Sequence, residues 1–294
     1  MTNTFQLSCE STVDMPFDYV SSRNMEVLFY SYMVDGHEYA DDMGRDPAAL
    51  ARFYDFVDKG KLPSTSQINE FSYYDFFDTL LQKGDVLHLA FGTGMTPSYH
   101  NACGAAEKLR EKYPNRKITV VDTLCSSSGY GLIVDTAADM RDAGAGMDEI
   151  ASWVISQSKN VHHQFFSTDM TMFKRSGRVS GVTAAVASIL GICPIMHLDI
   201  TGHIVAYDKV RGKKNAIKKT VDEMEKYASG GSQYSGKCFI SHSNCIEEAI
   251  KTRDMIAQRF PNITDMRIYD IGTIIASHCG KGTVAVYFFG CQRI

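Results

Sequence analysis

The 294-residue chain is 44% hydrophobic, enough to bury one large core or two modest ones, and this content argues against disorder. Its 34 acidic and 30 basic residues leave a formal charge of -4, which excludes the global cationic field that gathers nucleic acid. The opening MTNTFQLSCEST has no basic stretch leading into an apolar one, and no window reaches the about 18 uncharged apolar residues of a spanning helix, so a soluble cytoplasmic protein is expected.

Short apolar runs alternate with amphipathic segments along the chain, the pattern of an α/β protein. FQLSC predicts a first strand, and VLFYSYMVDGHEYA predicts a strand that turns at Asp35-Gly36. DPAALARFYDFVDKG predicts a helix with Asp46 as cap, Pro47 in the first turn and Gly60 past the end. A second helix is expected to run from the PSTSQ loop to Gly84. DVLHLAF then reads as a strand entering the loop GTGMTPS, followed by a helix with Thr96 as cap. ITVVDT repeats the unit through LCSSSG into YGLIVDTAADMRDAG. Two successive strand-loop-helix units predict a mainly parallel sheet whose C-terminal edge gathers loops. The second half changes texture near residue 160: PIMHLDITGHIVAYDKV reads as two strands around Thr201-Gly202, and antiparallel pairing is expected there. His162-His163 reads as part of a helical stretch, and IIASHCGKGTVAVYFFG as two strand-like runs with His278 between them.

Several clusters carry candidate chemistry. Ser64 and Gln67 fit an S-x-x-Q capping box, which leaves Thr65 free to face a ligand. Thr96 either caps its own helix or offers, with the free N–H groups of the first turn, a site for a carboxylate or phosphate. GTG is neither a P-loop nor a GxGxxG, since Gly92 and Gly94 stand alone. Arg178 and Arg211 adjoin glycines and so fall on turns, where an arginine meets a phosphate or an acidic partner. No HxH or HExxH accompanies His278, so no metal site is expected. No GxSxG occurs, and on a strand Cys279 points away from its neighbour His278, so binding groups are present without a reactive set. The 8 cysteines contain no CxxC and read as reduced core residues.

The order and spacing of CESTVDMP, LPSTSQINEF, FGTGMTPSYHNA, VVDTLCSSSGYG, MFKRSGRVSG, LGICPIM, DKVRGKKNAIKK and GTIIASHCGKG resemble the DegV family, fatty-acid-binding proteins that serve bacterial fatty-acid kinase. The resemblance implies two α/β domains, 1–160 with a mainly parallel sheet and 161–294 with a mixed or antiparallel one, and a ligand tunnel between them. It implies a non-catalytic carrier with no cofactor besides the bound fatty acid. Thr65, Thr96 and His278 would hold the carboxylate, with Ser66, Ser11 and Gly280 in support. Arg178 and Arg211 would meet the kinase or the acyl-phosphate product. The partners implied are a long-chain fatty acid and the kinase, with transient membrane-surface contact. The contrasting reading is an acyl-ester or thioester hydrolase using Ser11, Ser66 or Cys279 with His278. This chain departs from the family pattern at Glu10-Ser11 for Asp-Ser, Thr96-Pro97-Ser98 for SGT, Ser176-Gly177-Arg178 for Gly-Gly-Arg, and Gly280-Lys281-Gly282 for GPG. Lys281 is expected to add a charge close to the bound carboxylate.

Overall fold

A sheet whose central strands are buried on both faces forms the first layer. The computed structural model describes residues 5–181 and 191–294; residues 1–4 and 182–190, which include Leu190 of LGICPIM, lie outside the described residues. β1 (Phe5–Glu10) leads through a 3-10 turn at Ser11–Val13 to α1 (Phe17–Ser22), β2 (Met25–Leu28), β3 (Ser31–Val34) and β4 (His37–Ala40). α2 (Ala49–Asp58), β5 (Ser64–Thr65), α3 (Glu70–Leu81), β6 (Asp85–Ala90), α4 (Ser98–Lys112), β7 (Ile118–Asp122), α5 (Ser127–Asp142) and α6 (Met147–Gln157) follow. β1, β2, β6 and β7 make a four-stranded parallel sheet in the order β2-β1-β6-β7. The continuous burial of β6 from Val86 to Ala90 suits a strand covered on both faces.

After residue 160 the described strands are β8 (Val161–Ser167), β9 (Val179–Gly181), β10 (Ile192–Leu198), β11 (Ile204–Arg211), β12 (Lys237–His242), β13 (Asp265–Asp270) and β14 (Thr283–Phe289). They form a seven-stranded mixed sheet in the order β13-β12-β14-β8-β10-β11-β9, with β10 and β11 antiparallel as expected. Its helices are α7 (Thr171–Ser176), α8 (Lys213–Tyr227), α9 (Ile246–Arg259) and α10 (Thr273–Cys279). A small antiparallel sheet, β4-β3-β5, is built on the Asp35-Gly36 hairpin. Both turn residues have positive φ, 51° and 82°, the backbone that lets a two-residue turn match strand twist.

α5 lies between the two large sheets, and Gly129 sets how closely it approaches the second. A Cβ there would sit 2.3 Å from His163 Nε2, so any side chain would push the helix off β8 and β14. Tyr287 of β14 borders the same point, where the apolar cluster of the first sheet continues to Phe165, Ala285 and Tyr287 of the second. A separate cluster around Phe166, Ile240, Val286 and Phe288 fills the far face, under α8 and α9.

Two expectations are corrected. His162 and His163 lie on β8, not on a helix. Burial of every β8 residue erases the alternation that marks a half-buried strand, so the run carries no period to read. His278 lies on α10, not on a strand: Gly272 precedes the helix and Gly280, at φ 66°, ends it. The β-branched pair Ile274-Ile275 imitated a strand in a helix too short for a 3.6-residue period.

Candidate functional site

Three side chains distant in sequence meet at one cavity of about 280 Å³, lined by Thr65, Thr96 and His278. β5 carries Thr65, held by its pairing with Tyr32 of β3. The box expected at Ser64 and Gln67 does not form; Asn69 caps α3 by accepting from the Ser72 N–H at 2.9 Å. That frees Ser64 and Thr65 for the strand. Thr96 sits just ahead of α4, whose N-cap residue is Pro97, one position later than expected. His278 comes from the last turn of α10.

The hydroxyls are braced from behind. Ser98 Oγ accepts from Tyr30 Oη at 2.9 Å and from the Ile68 N–H at 3.2 Å, and it lies 3.1 Å from Thr96 Oγ1. With both of its acceptor positions used, Ser98 donates its own proton to Thr96, and the Thr96 proton is left for a ligand. Thr65 Oγ1 is 2.7 Å from His278 Nε2, while buried His278 Nδ1 has no partner among the described residues. Burial, then the nearby Arg178 and Arg175, pushes the His278 pKa down to about 4, so the ring is neutral at pH 7. A neutral imidazole bonded to one hydroxyl leaves one proton of the pair unspent, whichever way that bond runs.

Phe91, Phe173, Ile204 and Ile275 supply the apolar walls. A smaller cavity of about 50 Å³ shares Ser126, Phe173, Ile204, Ile275 and Cys279 with the first and continues against Phe165, Leu198, Ile271 and Ala285. The inner chamber's walls are mostly apolar, with Ser127, His163, Thr283 and Tyr287 also at its border.

The other expected site residues divide. Ser66 and Arg178 line the first cavity. Arg178 donates to the Ser176 carbonyl at 2.7 Å, and Arg175 donates to the Pro63 carbonyl, tying α7 to the segment before β5. Ser11 is elsewhere: its hydroxyl accepts from the Tyr30 N–H at 3.1 Å, and it borders a different cavity. Gly280 ends α10 without lining the cavity, and exposed Arg211 ends β11, its carbonyl accepting from Asn215. Lys281 points away, pairing with Asp58 at 2.5 Å and lying over the Tyr54 ring, so it adds no charge to this cavity. Gly92 and Gly94 serve backbone packing rather than a phosphate: a Cβ on Gly94 would lie 2.3 Å from the Gly202 carbonyl oxygen. Glu10 is consumed in the core, accepting from Tyr73 Oη and from the Phe91 N–H. Tyr30, Ser98 and Ser126 were missed. Ser98 stood two positions from Thr96, but nothing local in the sequence placed Tyr30 behind it.

Among the described residues no group of three or more His, Cys, Asp or Glu is placed to hold a metal ion, and no helix is long and apolar enough to cross a membrane. The profile of a family described as uncharacterised DegV-family protein matches residues 4–290. The chain belongs to the DegV family. A DegV domain-containing protein of Clostridium perfringens is 34% identical over 287 residues, 97% of each chain. Among solved structures, the DegV fold of this chain is similar to that of a stearic acid-binding protein from Eubacterium ventriosum, with TM-score 0.87, 20% identity and 98% of each chain covered. It is also similar to a DegV lipid binding protein from Thermotoga maritima, with TM-score 0.86, 21% identity, and 99% of this chain and 100% of that one covered. A fatty acid binding DegV family protein from Streptococcus agalactiae is 25% identical, with TM-score 0.83 and 98% and 99% coverage.

Proposed function

We propose that this DegV protein binds a long-chain fatty acid between an N-terminal domain, 1–160, and a C-terminal domain, 161–294. The acyl chain runs in a tunnel formed by the two contiguous cavities. The observation that carries the reading is the convergence of Thr65, Thr96 and His278, with unspent protons, at the polar end of an apolar path. Burying ten methylenes yields about 8 kcal/mol, and an unpaired carboxylate would return several of them. Two hydroxyls and a neutral imidazole satisfy that carboxylate. Ser66 adds a third hydroxyl at the mouth; Ser11 and Gly280 act indirectly, by holding Tyr30 and by ending α10. The fatty-acid-binding descriptions of the solved neighbours agree with this reading.

The protein is a carrier that presents the carboxylate to a separate fatty-acid kinase, with Arg178 at the mouth and Arg211 on the surface as contacts for the kinase or the acyl-phosphate. Exposed Leu62 and Phe71, either side of β5, suit transient contact with a membrane surface during loading. The hydrolase reading is disfavoured by chemistry. Burial pushes the Cys279 thiol up to about 12, and His278, pushed down to about 4, is a weak base with no group orienting its Nδ1 among the described residues. Organic extraction of the purified protein followed by mass spectrometry tests the proposal. One fatty acid per chain is expected, and failure to recover any after incubation with long-chain fatty acids would overturn it.

A further inference from the structure

A second cavity, about 400 Å³, lies apart from the hydroxyl-lined one and is bordered by several carboxylates. Asp14, Asp18, Asp41, Asp42, Asp46 and Asp270 border it, and Arg45 is its one basic lining residue among those described. Arg45 is already committed. Its guanidinium lies 4.8 Å and 4.3 Å from the ring centres of Phe17 and Phe29, and its Nε donates to the Asp42 carbonyl. Most of the carboxylates are spent as well. Asp14 accepts from Ser127 Oγ and from the Gly272 N–H, and Asp42 accepts from the N–H groups of Gly44 and Asp46.

Asp41 is the exception. It is only 2% exposed, its Oδ1 accepts from Thr273 Oγ1 at 2.9 Å, and its Oδ2 is buried with no hydrogen-bond partner among the described residues. Ser11 and Thr273 both lie close enough to work against the effect of burial on this carboxylate. A buried carboxylate oxygen with the carboxylates of Asp14 and Asp42 close enough to repel it, and no cation paired with it among the described residues, is costly to keep in a folded protein. Burial accordingly raises the Asp41 pKa to about 6. The ligand class follows from the rest of the cavity. Metal chelation has no clustered donor set among the described residues, whereas Met15, Leu50 and Tyr269 give the cavity apolar walls.

We propose that this cavity is a second binding site, taking a small organic cation whose ammonium or guanidinium group donates to Asp41 Oδ2 while its apolar body rests against Met15 and Leu50. The site is independent of the fatty-acid reading, because it uses none of Thr65, Thr96 and His278.

Titration calorimetry of the full chain with benzylammonium chloride, and with benzyl alcohol as its neutral counterpart, tests the proposal. Saturable binding of the ammonium is expected, with the alcohol roughly tenfold weaker or more. Asp41→Asn should weaken the ammonium by a similar factor while melting cooperatively. Leu50→Trp, which keeps every charge and fills the apolar side, should weaken both ligands. Equal affinity for the two ligands, an unchanged affinity in cooperatively folded Asp41→Asn, or an unchanged affinity in Leu50→Trp would overturn it. So would displacement of benzylammonium by magnesium chloride but not by sodium chloride of equal ionic strength, which assigns the cavity to a metal.

Discussion

The two cavities share one short helix. Thr273, the first residue of α10, borders the acidic cavity, and His278, in its last turn, borders the hydroxyl-lined one. Burial acts on both with opposite signs of charge: it lowers the His278 pKa to about 4 and raises that of Asp41 to about 6. In each case desolvation favours the neutral form. At neutral pH the imidazole follows that preference and offers uncharged donors, whereas Asp41 stays mostly ionised against it. One end of α10 is therefore relaxed and suited to an anion, and the other holds an unmet demand for a cation.

The largest effect that separates the cavities comes from blocking one of them. Ile275 lines both chambers of the hydroxyl-lined path and no part of the acidic cavity. Ile275→Trp should exclude about five methylenes from the path as a whole and weaken fatty-acid binding by about 4 kcal/mol. Binding of a short-chain acid, read by the same calorimetric titration, should change little. Equal losses for short and long acids would move the acyl path elsewhere.

His278→Ala should weaken fatty-acid binding by about 1 to 3 kcal/mol through loss of a donor to a buried charged group. The same residue has a signature in the unliganded protein. Between about pH 6.5 and 4 the unfolded chain binds a proton that native His278 refuses, so its stability contribution is complete above pH 6.5 and is lost as pH falls through that window. Denaturant melts should show the wild type losing about 1 to 3 kcal/mol more than His278→Gln across the window. Parallel pH profiles would mean that His278 is not desolvated.

The Asp41 prediction carries the opposite sign. Its folded pKa lies above its unfolded value, so the native state holds the extra proton between about pH 4 and 6, and stability from this group falls as pH rises through that range. Asp41→Asn should therefore stabilise the unliganded protein at pH 7 by about 2 kcal/mol, and by nothing at pH 3.5, in urea melts. Destabilisation at pH 7 would show that the ionised carboxylate is already satisfied.

What the sequence made legible follows from how local each signal was. The repeated strand-loop-helix units of β6-α4 and β7-α5 put the parallel sheet in view, because each unit carries its own strand pattern and glycine-marked loop. Thr65, Thr96 and His278 could be named from the order of short motifs, although the secondary structure assumed around His278 was wrong. Residues buried from both sides are opaque: β8 has no alternation, and its sequence suits a helix as well as a strand. The brace from Tyr30 through Ser98 spans 68 positions and leaves no mark on either segment. The setting of Asp41 depends on its contact with Thr273 at the start of α10, 232 positions away, which no window contains.

The smallest expected effect addresses Lys281, which stands where the family pattern has proline. Its ammonium is paired with Asp58, itself 61% exposed, and it lies over the Tyr54 ring rather than in either cavity. Lys281→Ala should leave fatty-acid affinity unchanged and cost less than about 1 kcal/mol of stability, since an ion pair with an exposed partner contributes little net energy. A lysine beside the carboxylate would behave differently: its removal would weaken binding, and the wild-type affinity would fall as salt is added. Titrating fatty acid into both proteins at low and high ionic strength separates the two cases. A salt-independent affinity shared by wild type and Lys281→Ala leaves the neutral donors of Thr65, Thr96 and His278 to hold the anion.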